Sequence, residues 1–263
     1  MNERPNHVVE LRDVKLAFPG RQVLDGVSLK VEPLDRLVIM GQSGSGKSTI
    51  LRLILGILQP TDGEIFFKQF EISRLHRRKL QQVRSRIGMV YQYSALLSSR
   101  NVRDNIALPL EELTRKTKAE IDQVVDEKLE LVGMLDSKYQ MPSELSGGMR
   151  KRVSLARALV LDPELILFDE PSAGLDPVIS SVIDELIISL TERSKVTSVI
   201  VTHEMDSAFR IGTRMAMLYH GAVIANAEPE RFKRSQHPVV QQFLSGETKG
   251  PILEGSKDAV ATK

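Results

Sequence analysis

The chain has 263 residues, of which 41% are hydrophobic and 27% charged, and its formal net charge is +2. That balance supports a sizeable core and excludes the polycationic block of a dedicated nucleic-acid binder. Cysteine and tryptophan are absent. Disulfides and zinc–thiolate sites are therefore ruled out, and a reducing cytoplasm is the natural setting. Residues 1–9 are polar and lack the apolar stretch of a signal peptide. Apolar runs such as 165–168 fall far short of the ~20 residues that span a bilayer, so any membrane connection is expected to run through a partner.

In chain order, residues 8–11 and 14–18 read as an opening strand region, and 27–31 alternates like a half-buried strand. Residues 37–40 form a continuous apolar run ending at Gly41, as in a buried parallel strand. Residues 48–58 follow with Ile50, Leu51, Ile54 and Leu58 on one helical face. A turn at 59–63 leads to strands at 64–67 and 86–91. The basic cluster Arg74, Arg77, Arg78, Lys79, Arg84 and Arg86 reads as a solvated helix face. From 101 to 160 the pattern is helical, with Ile121, Val124, Val125, Leu129 and Val132 at helical spacing. Strands return at 165–168 and 198–202 around a helix at 178–191, and 215–219 with 222–225 forms a hairpin about His220-Gly221. Residues 246–263 are rich in Gly, Lys, Ser and Thr, a tail expected to be flexible. Strand–helix alternation on both sides of a helical block predicts a split α/β core with a helical insertion.

Gly41-Gln42-Ser43-Gly44-Ser45-Gly46-Lys47-Ser48 fits G-x-x-x-x-G-K-[ST] between a buried strand and an apolar-faced helix. The glycines let successive backbone N–H groups turn toward phosphate oxygens, and the helix N-terminus adds positive partial charge. Lys47 is expected to reach the β- and γ-phosphates, Ser48 to ligate Mg²⁺, and Thr49 to complete the ATP-binding set. Residues 165–168 end in Asp169-Glu170. One carboxylate after such a strand can hold the metal and the next can polarise the attacking water, so Asp169 is assigned to Mg²⁺ and Glu170 to the water. Gln92 follows the strand at 86–91. It reads either as an ordinary loop glutamine or as a Mg²⁺ ligand that reports the metal to a neighbouring segment. Ser146-Gly147-Gly148 precedes an amphipathic segment and reads either as a plain helix cap or as a second anion site. His203 ends a strand, where imidazole can be structural or can contact the γ-phosphate and steady Glu170.

Taken in order, phosphate loop, Gln92, Ser146-Gly147-Gly148, Asp169-Glu170, Gly174-Leu175-Asp176 and His203 resemble the nucleotide-binding subunit of ABC transporters over residues 8–244. The resemblance implies a P-loop NTPase (RecA-like) α/β core at about 1–92 and 160–245. It adds an antiparallel β subdomain and a helical subdomain inserted at about 93–159, with a tail at 246–263. It implies ATP and Mg²⁺ as cofactors and ATP hydrolysis as the activity. It implies a homodimer as the working form, in which Ser146, Gly147 and Gly148 of one subunit cover the ATP of the other, with Asp176 at the seam and the tail reaching toward the second subunit. Phe18 stands where the family stacks an aromatic, usually Tyr, on adenine.

Residues 91–97, 101–110 and 141–144, with Gln242-Phe243-Leu244-Ser245-Gly246 and Gly250-Pro251, are similar to the ATPases of the bacterial lipid-asymmetry systems. Those act at the cytoplasmic face of the inner membrane, with a permease and an MCE-type lipid-binding protein, and with no nucleic acid. The chain departs from them at Tyr93-Ser94, where Ser-Gly is usual, and at Leu97, where Phe is usual. Both departures adjoin the expected permease-coupling surface. The alternatives are the ATPase of a small-solute importer and a soluble ABC factor of translation or DNA repair. The latter usually carries two nucleotide-binding halves or a long coiled-coil insertion, and this sequence has neither.

Overall fold

The computed structural model describes residues 7–252. Two long antiparallel strands open the fold, β1 (Val9–Phe18) and β2 (Arg21–Val31), followed by β3 (Arg36–Met40), α1 (Lys47–Ile54), β4 (Asp62–Phe67) and β5 (Phe70–Glu71). Next come α2 (Arg77–Arg84), β6 (Ile87–Val90) and the helices α3 (Val102–Leu113), α4 (Lys118–Leu131) and α5 (Gly147–Leu159). The chain returns through β7 (Leu165–Asp169), α6 (Pro177–Arg193), β8 (Thr197–Val201) and α7 (Met205–Ile211). It closes with β9 (Arg214–Tyr219), β10 (Ala222–Ala227), α8 (Pro229–Lys233) and α9 (Pro238–Ser245).

One sheet has the order β2-β1-β4-β5 and is antiparallel; the other has the order β10-β9-β3-β8-β7-β6. In the second, β6, β7, β8, β3 and β9 run parallel, and β10 returns antiparallel along β9. The central parallel strands read as unbroken apolar runs because both faces are covered. In β3, Leu37 and Ile39 pack into a core with Ile50 and Leu51 of α1 and with Leu11 and Val14 of β1. Val38 and Met40, pointing the other way, pack with Ile106 of α3, Leu129 of α4, Leu155 of α5 and Ile183 of α6. The period of two thus sends alternate side chains into two cores. The inserted helices share the second core with the sheet.

Several elements differ from the sequence reading. The opening strand region is one strand with register shifts between Leu11 and Val14, where Asp13 takes φ 46°. The bulge breaks the alternation that periodicity relies on. Helix α1 stops at Ile54 rather than at residue 58, and Gly56 in the left-handed region (φ 63°) ends it. The basic cluster is only partly a solvated face. Arg84 donates to the carbonyls of Leu55 (2.8 Å) and Gly56 (3.0 Å), closing the end of α1. Arg86 pairs with Glu164 and lies over the rings of Phe67 and Phe70. Of the tail, Ile252 is buried and its N–H donates to Gln242 Oε1 (2.8 Å), while Tyr219 donates to the Pro251 carbonyl (3.1 Å). Residues 253–263 lie outside the described residues.

Candidate active site

The carboxyl ends of the parallel strands are where open α/β sheets place their sites. The phosphate loop leaves β3, Gln92 follows β6, Asp169 and Glu170 end β7, and His203 follows β8. A cleft of about 900 Å³ opens there, lined by Phe18, the phosphate loop from Gly41 to Thr49, Gln92, Glu170 and His203.

The loop's shape depends on glycine at two points. Gly41 has φ 151°, and a Cβ there would lie 2.3 Å from the Leu218 carbonyl oxygen. Gly46 caps α1 at φ 105°, with Leu24 2.8 Å from where its Cβ would be. Lys47 is 7% exposed, and its Nζ donates to the carbonyls of Gly41 (2.8 Å) and Gln42 (2.9 Å). Burial lowers its pKa, while Glu170 and Asp169 act in the opposite sense.

Ser48 Oγ donates to Asp169 Oδ1 at 2.7 Å. Glu170 is buried in the left-handed region at φ 49°, a conformation that costs a non-glycine residue about 1 kcal/mol or more. Its N–H donates to the Val201 carbonyl (2.9 Å), and its Oε1 lies 2.9 Å from His203 Nδ1. The bond to Val201 of β8 offsets the strain, and the conformation sets the carboxylate against the imidazole at the cleft.

Phe18 is 48% exposed at the end of β1, free to offer a ring face to a base. Ser146, Gly147 and Gly148 are not part of this cleft. Ser146 caps α5 by accepting from the Met149 N–H (3.2 Å), as the cap reading expects. A Cβ on Gly148 would lie 2.8 Å from Ile179 Cγ2, so the glycine also allows α5 to approach α6. Asp176 is exposed and caps α6, accepting from Val178 (3.0 Å) and Ile179 (3.1 Å).

Three features escaped the sequence. Phe243 of α9 lines the cleft from the far end of the chain. Lys151, 4% exposed, donates to the carbonyls of Gln92 (2.6 Å) and Glu170 (3.2 Å). Burial pushes its pKa down to about 8, against the pull of Glu170, Asp169 and Glu204. Along the same face of α5, Ser154 Oγ donates to the Ser94 carbonyl (3.2 Å), and Arg157 donates to those of Ser94 and Ala95 (2.8 Å each). Burial lowers the pKa of Arg157 as well. Polar residues at three-residue spacing, Lys151, Ser154 and Arg157, along one face of an amphipathic helix were the available signal.

The model of the ABC transporter family matches residues 24–173. The chain belongs to the ABC transporter family. Within it, the chain is an ATPase cassette. It is 41% identical to the intermembrane phospholipid transport system ATP-binding protein MlaF of Haemophilus influenzae, across 94% of this chain and 93% of that one. It is 38% identical to the probable ribonucleotide transport ATP-binding protein mkl of Mycobacterium leprae, across 93% of this chain and 70% of that one. Among solved structures, an ATP-binding cassette in a dimeric post-hydrolysis state bound to ADP and Pi superposes with a TM-score of 0.76 at 31% identity. That match covers 84% of this chain and 98% of the other. The cassette architecture expected from the resemblance, a P-loop α/β fold with antiparallel and largely parallel sheets, is the one found. No helix among the described residues is long and apolar enough to cross a membrane.

Proposed function

We propose that the chain is the ATP-hydrolysing subunit of a bacterial phospholipid transporter, working as a homodimer beneath permease subunits at the cytoplasmic face of the inner membrane. The observation that carries the hydrolytic part is the contact of Glu170 with His203 across a cleft that also holds Lys47 and Ser48. The lipid part rests on the similarity to MlaF over nearly the whole length.

In this reading the phosphate loop and Lys47 hold the β- and γ-phosphates, and Phe18 stacks on adenine. Ser48 and Asp169 present hard oxygen donors side by side, and Gln92 lines the same cleft, a set suited to Mg²⁺. When bound, Mg²⁺ would neutralise developing charge on the phosphate oxygens. Glu170 takes the proton of the attacking water, and His203 holds Glu170 in place. Ser146, Gly147 and Gly148, away from their own chain's cleft, contact the ATP of the second subunit, with Asp176 at the seam.

The helices between β6 and β7 act as the subdomain at 93–159, set in the core of 1–92 and 160–245, and the tail reaches toward the second copy. Tyr91, Tyr93 and Leu97 are 40%, 87% and 43% exposed beside Gln92, an apolar surface ready for a permease helix. An MCE-type lipid-binding protein is the further partner, and no nucleic acid is involved.

The test is to purify the native complex through this chain and identify co-purifying proteins and lipids by mass spectrometry. An MCE-type protein with phospholipid is expected. A soluble solute-binding protein carrying a ribonucleotide or amino acid would move the assignment to small-solute import, the reading that the similarity to mkl favours.

A further inference from the structure

Helix α6 carries a carboxylate where an apolar residue would pack. Asp184 is 0% exposed, beside the fully buried Ile183 and Ile187. Its Oδ2 accepts from Arg210 Nη1 at 2.8 Å, and its Oδ1 accepts from Ser207 Oγ at 2.7 Å. Ser207 Oγ in turn lies 3.2 Å from Ser172 Oγ, and both serines are buried.

The direction of this chain follows from donor and acceptor inventories. An ionised carboxylate only accepts, so the Ser207 proton is committed to Asp184, and the Ser172 hydroxyl must donate to Ser207. The guanidinium of Arg210 favours the ionised form, although burial pushes the pKa of Asp184 up. Hydrogen bonds linked in this way inside a low-dielectric core strengthen one another.

The two ends of the chain lie in segments that carry the reacting groups. Ser172 follows Glu170 by two residues, in the loop where the Ala173 N–H donates to the Glu170 carbonyl (3.3 Å). Ser180 Oγ holds the Ser172 carbonyl (3.4 Å), a second tie from α6 to the same loop. Ser207 sits on α7, the helix entered directly after His203 and Glu204. The pair joins a buried carboxylate to an exposed guanidinium, and it adds little stability over an apolar replacement. Its effect is to specify geometry, here as a tie on the α6–α7 side between two segments that β7–β8 pairing and the Glu170–His203 contact join from the sheet side.

We propose that Asp184 is a positioning residue for hydrolysis, acting through Ser207 and Ser172 to hold the Glu170 loop in register with the His203 segment. The proposal rests on the reading of Glu170 and His203 as the hydrolytic pair. Errors near 1 Å in such a pair cost turnover while leaving ground-state binding largely intact.

The experiment measures ATP turnover and ATP affinity of the full chain carrying Ser207→Ala, and separately Ser172→Ala. Each cuts the chain without enlarging a side chain. A fall in kcat of about tenfold or more is expected for Ser207→Ala, with KM for ATP within about twofold. Ser172→Ala should change kcat in the same direction. Both variants should unfold cooperatively, as the parent does. Combined with Glu170→Gln, Ser207→Ala should lower the residual turnover no further, since residues acting as one unit are not additive.

A folded Ser207→Ala protein with parental kcat would overturn the proposal, and so would equal further loss in the Glu170→Gln background. If Glu170→Gln alone turns over normally, the hydrolytic reading itself fails, an outcome distinct from the first two. Should Ser207→Ala fold poorly, Ser172→Ala decides the question by the same kcat and KM criteria.

Discussion

The loop at 41–48 lines the cleft and the loop at 92–97 leaves it at Gln92, and the two are held in opposite ways. The first is shaped from within. Its left-handed positions at Gly44 and Gly46 are glycines, and Lys47 bonds back to Gly41 and Gln42. The second is shaped from outside. Ser94 and Ala95 sit at φ 60° and 48° without glycine, and Lys151, Ser154 and Arg157 of α5 grip the carbonyls of Gln92, Ser94 and Ala95. A loop that carries its own geometry can bind a ligand wherever it is placed. A loop held by another helix moves when that helix moves. The second arrangement suits a segment that passes the state of the nucleotide site to a partner, and α5 also begins with Ser146, the residue proposed to meet the other subunit's ATP.

The comparison can be broken at either loop. The largest effect is expected for Lys47→Ala, which removes the phosphate loop's cation. ATP affinity should fall by about a hundredfold or more, on the order of 2–3 kcal/mol for a lost charge-assisted contact, as read by fluorescent-nucleotide titration. Turnover should be lost with it.

Next comes Lys151→Met, which keeps the length but removes both hydrogen bonds to the Gln92 and Glu170 carbonyls. ATP affinity should stay within a few-fold of the parent while turnover falls about tenfold, because the loss is of placement rather than of a phosphate contact. The same variant tests the pKa shift. Lys151 titrates near 8 in the folded chain and near ~10.4 when unfolded. Between those values the unfolded chain binds more protons, so this lysine makes the free energy of unfolding rise with pH, by about 1 kcal/mol per unit at most. Subtracting the Lys151→Met profile from the parental one, by urea unfolding at pH 7.5 to 10, should leave that rising slope. A flat difference would place the lysine's ordinary pKa inside the fold.

A smaller loss is expected for Arg157→Met, which frees the carbonyl of Ala95 and leaves that of Ser94 to Ser154 alone. Stability should drop by about 1–3 kcal/mol through the unsatisfied group. The ATPase of the isolated chain should suffer less than its stimulation by the permease. The smallest effect is a gain. Ala95→Gly relieves a left-handed alanine, and stability should rise by up to about 1 kcal/mol. The same change at a right-handed helical position would lower it.

The same contrast explains what the sequence disclosed. The phosphate loop, Asp169-Glu170 and the parallel strands were legible because each is written in consecutive residues, with glycines where φ is positive or apolar runs where both faces are covered. Gln92 and His203 were legible only by their order along the chain. Lys151, Arg157, Phe243 and Asp184 were not legible, since their roles depend on which elements the sheet order β10-β9-β3-β8-β7-β6 brings together. Arg84 and Arg86 misled for the same reason. A basic run on a short helix looks solvated until the carbonyls of Leu55 and Gly56 and the carboxylate of Glu164 are found beside it.

In the proposed function, Glu170 beside His203 makes this cassette hydrolyse ATP across a dimer seam. The most direct measurement is ATP hydrolysis and sedimentation of Glu170→Gln with Mg²⁺ and ATP. The account predicts parental nucleotide affinity, an ATP-dependent dimer that persists, and turnover reduced by about a hundredfold or more. Turnover near the parental rate, or a chain that stays monomeric while saturated with ATP, would contradict it.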